Sequence, residues 1–187
     1  MLASLLLEPG RLELRDVEIP KAGPGEVVVR VRTALTCGTD LKAFRRGHPK
    51  MTIPGPFGHE FSGDVHEVGE GVTKFQPGDQ IMTAPSAPCG DCIYCRKAQE
   101  NLCAKVMDTM VWGAFAEYVC MPSHIVANNM FKKPEHLSYE EAAMLEPLSC
   151  VVYGMDQVEV KPDDTVLIIG AGAIGLLHVM VARALGA

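Results

Sequence analysis

Between Ala87 and Cys103 the chain reads APCGDCIYCRKAQENLC, and its four cysteines, Cys89, Cys92, Cys95 and Cys103, constrain the local fold more than any other feature. Two-residue gaps let successive thiolates turn toward one point, and the longer last gap closes a loop over it. Four soft sulfur donors at this spacing suit a closed tetrahedral zinc site. Disulfides are the competing reading. They are disfavoured because the other cysteines, Cys37, Cys120 and Cys150, are scattered and odd in number. The opening MLASLLLEPGRLEL also lacks a basic n-region and reaches Glu8 and Pro9 too soon for a secretory signal. A closed four-sulfur site shapes a lobe, placed near residues 86–106, and offers a substrate no position. Any chemistry must come from elsewhere.

Composition excludes some alternatives. A formal net charge of −6 with no basic stripe argues against nucleic acid as a partner. The longest apolar run, TVLIIGAGAIGLL, is broken by glycines and falls short of a membrane span. Free cysteines beside a zinc site fit a reducing compartment, so the cytoplasm is expected. At 187 residues the chain can bury one good core or two small ones.

From Met1 to about Asn129 the pattern is of short β segments separated by Gly and Pro. LELRDVEI, EVVVRVRTAL, EFSGDVHEVG, DQIMTAP and AFAEYVCM alternate or run apolar, with GPGE, PGPFG and QPGD as turns. No long helical period interrupts them, so an antiparallel barrel or sandwich with long loops is expected. Near Leu137 the texture changes. Ser138 and Glu141 make a capping box, and AAMLEPLSCVVYGM has helical spacing, with Pro147 expected to bend or interrupt it. After the polar turn KPDD, TVLIIG reads as a buried parallel-type strand, AGAIG as a glycine turn, and LLHVMVARALGA as an amphipathic helix ending at Gly186. Strand, turn and helix open a βαβ unit whose returning strand is missing, so a fragment of a longer protein is expected. The domains are placed at 1–157 and 158–187.

A second candidate metal site is dispersed. Cys37 lies in LTCGTD, His59 and Glu60 in GPFGHEFSG, and Glu146 in MLEPLS. One thiolate, one imidazole and one or two carboxylates suit a catalytic zinc with an open position. Each residue alone would more often be structural, and they gain force only beside the four-cysteine lobe. In Gly170-Ala-Gly172-Ala173-Ile174-Gly175, Gly172 would let a pyrophosphate approach the backbone while the helix N-terminus supplies amide donors.

GHEFSGDVHEVGEGV at 58–72 resembles the zinc signature of the medium-chain zinc-dependent alcohol dehydrogenases, with Gly58, His59, Glu60, Gly63, Gly69 and Val72 in register. CGTD at 37–40, the cysteine lobe and VLIIGAGAIG stand in that family's order, and EPL at 146–148 is similar to the polyol (sorbitol-type) and threonine dehydrogenase branch. The resemblance implies a mainly β, GroES-like barrel catalytic domain, followed by the start of a Rossmann α/β domain. It also implies NAD or NADP as cofactor, two zinc ions per chain, a small-molecule alcohol or polyol as substrate, no membrane or nucleic-acid partner, and a homo-oligomer at full length.

By that resemblance Cys37 and His59 would ligate the catalytic zinc. Glu60 and Glu146 would be direct or water-mediated ligands that the sequence does not rank, and the four lobe cysteines would hold a structural zinc. Thr39 would carry the alcohol's proton. The implied reaction moves a hydride between a secondary alcohol, such as a polyol or 3-hydroxy amino acid, and NAD(P), with zinc acidifying the hydroxyl. Many relatives carry a histidine three residues after Thr39; here Lys42 stands there, and a solvated helix surface is its favoured role. Residues 1–187 alone are expected to be inactive. The alternative is a non-catalytic zinc-stabilised binding module. Cys120 and His66 are read as packing or surface residues, Cys150, one helical turn after Glu146, as packing in preference to approaching the metal, and Trp112 as a candidate lining of the pocket.

Overall fold

The computed structural model describes residues 1–187. The elements are, in chain order, β1 (Leu2–Glu8), β2 (Arg11–Asp16), β3 (Val27–Leu35), α1 (Gly38–Arg46), β4 (Gly55–Pro56), β5 (Glu60–Val68), β6 (Gln80–Thr83) and β7 (Tyr118–Met121). They continue with α2 (Ser123–Asn128), β8 (Met130–Lys132), α3 (Tyr139–Ala143), α4 (Leu145–Val158) and α5 (Ala173–Leu185). Two compact units result, Met1–Ala143 and Met144–Ala187.

The first unit is built on two antiparallel sheets. Strand order is β2-β1-β4 in the smaller and β7-β3-β5-β6-β8 in the larger. Central β3 opens with Val27, Val28 and Val29, all fully buried, because it has a neighbour on each side. Val27 and Val29 join Phe61, Val65, Ile81, Val119, Met121 and Ile125 in the main core. A smaller core gathers Leu6, Ala43, Met51 and Phe57.

The expected barrel does not close. The two sheets meet at a single bridge between Ala3 and Ala116, flanked by Ser4 N–H donating to the Phe115 carbonyl at 2.8 Å. The smaller sheet ends at the two-residue β4, where Pro56 has no N–H to pass a ladder onward. Two open sheets therefore replace the barrel.

Two helices also interrupt the β half where no helical period is visible. α1 buries only Asp40 and Ala43, so its stabilising contacts include a carboxylate that hydropathy patterning does not count. The capping box forms as expected: Glu141 N–H donates to Ser138 Oγ at 3.2 Å and Ser138 N–H to Glu141 Oε2 at 2.8 Å. Pro147 then divides the helical run. Its ring would crowd the carbonyl four residues back, that of Ala143, and α3 ends at that residue before α4 begins at Leu145.

In the second unit α4 packs on α5 through Val151, Met155, Leu177 and Ala182. Compactness thus groups α4 with the residues after it, whereas the sequence reading places its boundary at 157/158. The expected strand TVLIIG is not formed. Residues 165–169 have no ladder partner, and Leu167 and Ile169 are 84% and 93% exposed. A parallel strand exists only as part of a sheet, and this unit supplies no neighbour. The helix after it is as expected, ending at Gly186 with φ 95°.

Gly63 tests the packing of the larger sheet. It lies opposite Val31 in the β3–β5 register, and an added Cβ would stand 2.1 Å from the Arg30 carbonyl oxygen. Gly63→Ala is expected to lower the unfolding free energy in urea by about 1–3 kcal/mol. Gly38→Ala, where a Cβ would meet nothing within 4 Å, is expected not to lower it.

Candidate metal centres

The cysteine lobe is a chain of short 3₁₀ turns, Cys95–Lys97, Glu100–Leu102 and Val106–Thr109. These turns aim four sulfurs inward. All the sulfurs of Cys89, Cys92, Cys95 and Cys103 lie within 4.8 Å of one another, and no disulfide forms. Cys89 and Cys95 Sγ are 3.9 Å apart, and Cys92 and Cys95 Sγ 3.5 Å. A tetrahedron with zinc–sulfur bonds of about 2.3 Å has sulfurs about 3.8 Å apart, so this donor set fits zinc. The backbone already favours thiolate: Cys89 N–H donates to Cys103 Sγ at 3.3 Å. Amides, that of Cys95 first, bring the Cys92 thiol down to about 6, while desolvation pushes Cys95 up to about 12. Four thiolates cannot coexist at this spacing without a cation.

The second cluster is assembled by strand register. Leu35 at the end of β3 pairs with Glu60 at the start of β5, so the chain leaving one strand runs beside the chain entering the other. Cys37 and His59 thereby become neighbours. Donor atoms of Cys37, His59 and Glu60 lie within 4.8 Å of one another, with His59 Nε2 4.0 Å from Glu60 Oε1. His59 and Glu60 are each only 5% exposed.

Cys37 is also the N-cap of α1. Its thiol accepts the Thr39 N–H at 3.4 Å, and its own N–H donates to Asp40 Oδ2 at 2.8 Å. The other oxygen of Asp40 lies 2.9 Å from His59 Nδ1. Asp40 is 1% exposed, so one buried carboxylate both caps the helix and orients the imidazole. With Nδ1 held there, Nε2 is the nitrogen to coordinate a metal. Trp112 closes one side, its ring 5.2 Å edge-on from that of His59. Burial raises the Cys37 thiol above its ordinary value, the Thr39 amide opposes this, and the Glu60 charge adds to it. A thiol and two carboxylates around one imidazole form a donor set that a divalent cation would neutralise.

Of the residues singled out in sequence, Cys37, His59 and Glu60 come together, and Thr39 stands on the first turn of α1 beside the thiol. Glu146 belongs to the other unit, in the first turn of α4, where Cys150 Sγ donates to its Oε1 at 3.4 Å. The glycine turn is also in that unit. Gly172 caps α5, Ala173 and Ile174 begin it, and Gly170 adopts φ 115°. A Cβ on Gly175 would stand 1.9 Å from the Gly170 carbonyl oxygen, so the turn excludes any larger residue there. His66 is exposed against Tyr118, and Cys120 is half-buried on β7. Asp40 is the functional residue that sequence reasoning missed. Its signal was the Cys37-to-Asp40 spacing of a capping box with cysteine in the cap.

Residues 23–134 match the model of the alcohol dehydrogenase GroES-like domain. Among curated proteins, the chain is 39% identical over 178 residues to D-arabitol-phosphate dehydrogenase of Enterococcus avium, covering 92% of this chain and 49% of that one. It is 37% identical over 195 residues to L-threonine 3-dehydrogenase of Pyrococcus horikoshii, covering 100% of this chain and 54% of the relative. Among solved structures, galactitol-1-phosphate dehydrogenase from Escherichia coli superposes with a TM-score of 0.87 at 32% identity, over 100% of this chain and 54% of that one. The chain spans about half the length of the curated relatives it matches. No helix is long and apolar enough to cross a membrane.

If Asp40 orients His59, Asp40→Ala should weaken zinc at the Cys37 centre about 10–100-fold and leave the lobe's affinity unchanged, read by competition with a chromophoric chelator. Because burial holds the Cys37 thiol above its ordinary 9.0, metal uptake at neutral pH should displace its proton. Affinity at this centre should therefore climb as pH rises toward and past 9, and level off only once the thiol ionises unaided.

Proposed function

The chain belongs to the medium-chain, zinc-type alcohol dehydrogenase family, and from that premise we propose that it forms the metal-binding part of an NAD(P)-linked oxidoreductase acting on a secondary alcohol. The observation that carries this reading is the Cys37–His59–Glu60 cluster, in which His59 and Glu60 are buried and Cys37 half-buried. Its donors converge within 4.8 Å, and three protein ligands leave a fourth position for the alcohol oxygen.

Cys37 and His59 would hold the catalytic zinc, with Glu60 as a direct or water-mediated ligand; Glu146, the other carboxylate that the resemblance offers, belongs to the second unit. Zinc bound there supplies Lewis acidity that lowers the pKa of the alcohol hydroxyl. The remaining work falls to the chain. Asp40 fixes the imidazole so that its Nε2 points at the cluster. Thr39, on the helix turn beside the thiol, would accept the hydroxyl proton and pass it outward. Trp112 would keep water from one side of the reacting carbon.

Gly170, Gly172, Ala173, Ile174 and Gly175 would receive the pyrophosphate of NAD or NADP at the N-terminus of α5, as the opening of a Rossmann domain. Cys89, Cys92, Cys95 and Cys103 would hold a second, structural zinc, giving two per chain. Polyols and 3-hydroxy amino acids are the substrate classes favoured, since relatives named for each match at similar identity. The protein in full is proposed to be a cytoplasmic homo-oligomer.

Metal analysis tests the proposal. The chain should bind two zinc ions, and Cys37→Ser with His59→Ala should reduce this to one. A binding module stabilised by the lobe alone would hold one zinc, unchanged by those substitutions. A longer protein carrying the nucleotide-binding half should oxidise secondary alcohols with NAD(P). Residues 1–187 alone should show no turnover, and a robust rate from them would contradict the reading that this chain carries only the opening of the nucleotide-binding domain.

A further inference from the structure

The cysteine lobe is a loop with a closed stem. Its chain enters through Pro85 and leaves through Val111, whose N–H donates to the Pro85 carbonyl at 2.8 Å, and Asn129 Nδ2 donates to the Ser86 carbonyl at 2.8 Å. Between Cys103 and that stem the chain is tightly wound. Val106 N–H donates to the Cys103 carbonyl at 3.3 Å and Asp108 N–H to that of Lys105 at 3.0 Å, so the turn Val106–Thr109 continues directly from the fourth sulfur. Lys105 Nζ reaches back to Asp91 at 3.4 Å. Asp108 pairs with Lys50, in the loop after α1 that also carries His48.

One residue past the stem stands Trp112, the single tryptophan of the chain. Its ring contacts two imidazoles, 5.2 Å from that of His59 at 72° and 5.2 Å from that of His48 at 59°. Aromatic rings at this spacing and tilt attract one another. The indole Nε1 is sealed from solvent and donates to no group, so no hydrogen bond sets the orientation of the ring. The backbone on either side does the placing. Val111 is held by Pro85, and the N–H groups of Gly113 and Ala114 both donate to the Gly58 carbonyl, at 2.8 and 3.1 Å, one residue before His59. A Cβ on Gly58 would stand 2.8 Å from the Phe115 ring, so the two segments cross in direct contact. A contiguous route therefore leads from Cys103 through the Val106–Thr109 turn, Val111 and Trp112 to His59.

We propose that Trp112 is a positioning residue that couples the two metal centres: a metal in the lobe orders residues 104–111, sets the indole against His59, and so tightens metal binding at the Cys37 cluster. This deepens the dehydrogenase reading and rests on its two zinc sites. The reason lies in what each contact constrains. Asp40 grips one nitrogen of His59, and the indole limits tilt of the ring about that grip. The indole is in turn only as steady as the segment that carries it. Without a cation the four cysteines cannot all ionise at their spacing, and the stretch after Cys103 rests on short turns and exposed ion pairs, each weak. Metal at Cys103 closes the loop and removes that freedom. Coupling between binding sites is reciprocal, but the lobe, with four soft donors, fills first, so the effect is read at the second site.

The test puts zinc in the lobe and cobalt at the Cys37 centre, where visible absorption reports the ligand geometry. Emptying the lobe by Cys92→Ser with Cys103→Ser is expected to weaken cobalt at the Cys37 centre about fivefold or more and to alter its spectrum. Trp112→Ala, with the lobe filled, should weaken cobalt to a similar degree, and adding the lobe substitutions should then change nothing further. Trp112→Phe keeps a ring on His59 and should retain the coupling, and Lys97→Gln, on the exposed side of the lobe, should leave it whole. A second measurement keeps every lobe cysteine. In the Cys37→Ser chain, zinc entering the lobe should raise the fluorescence anisotropy of Trp112, which no other tryptophan obscures. Equal cobalt affinity with the lobe filled and empty, a lobe effect that survives Trp112→Ala, or an emission that ignores lobe zinc overturns the proposal. Zinc content reads the dehydrogenase proposal separately: two zincs without coupling sink only the role of Trp112, whereas one zinc sinks the two-site reading beneath it.

Discussion

The buried carboxylate of Asp40 is the interaction on which the site depends. One oxygen accepts the Cys37 N–H and the other meets His59 Nδ1, so a helix start and a strand start are tied through a single side chain. Removing a carboxylate from water is costly, and two strong hydrogen bonds at 1% exposure are what make it tolerable. The sheet does the coarse work: the pairing of Leu35 with Glu60 brings the two segments together, and Asp40 then fixes their orientation. Without the register, Asp40 would have nothing to hold. Without Asp40, the imidazole could rotate and the helix start would keep only the thiol half of its capping box.

The two metal centres show two ways of making a donor set. The lobe is local, with all four sulfurs drawn from one loop and backbone amides already favouring some thiolates over others. Its geometry can form wherever that loop goes. The Cys37 cluster is non-local and exists only once β3 and β5 are paired, so it inherits the stability of the larger sheet. That difference suits the proposed roles: a self-contained staple for a loop, and a rigid, buried mount for chemistry.

The same difference decides what could be read from the sequence. The lobe was legible because its four ligands lie in one short stretch, two short gaps followed by a longer one. Cys37, His59 and Glu60 were legible as donor types beside the four-cysteine lobe, and the resemblance set them in one site, since nothing in LTCGTD or GPFGHEFSG says that they meet. β2, β3, β5, β6 and β7 stood out by alternation or apolar runs, whereas β1 and the short β4 and β8 did not, and the break at Pro147 was legible by elementary sterics. α1 was hidden because its buried face is Asp40 and Ala43, too little apolar surface to show a period. The strand expected at TVLIIG has the right composition, yet Leu167 and Ile169 stand exposed, because composition cannot provide a neighbouring strand. Barrel closure failed for a similar reason: it depends on whether a ladder continues past Pro56, and no single segment encodes that.

α1 concentrates these threads. Its first turn carries Cys37, Thr39 and Asp40, and its second and third turns carry Lys42, Arg45 and Arg46. A helix is well suited to such ordering, since a fixed rise of 1.5 Å per residue converts sequence separation into distance from the metal. Asp40 anchors one end against β5, and Ala43 packs the middle into the smaller core. A side chain near the C-terminal end is therefore held at a set height above the cluster even though it is itself exposed. That geometry also predicts an asymmetry of substitutions along α1: changes at the cap disturb the Cys37 cluster, and changes at the exposed far end leave it in place.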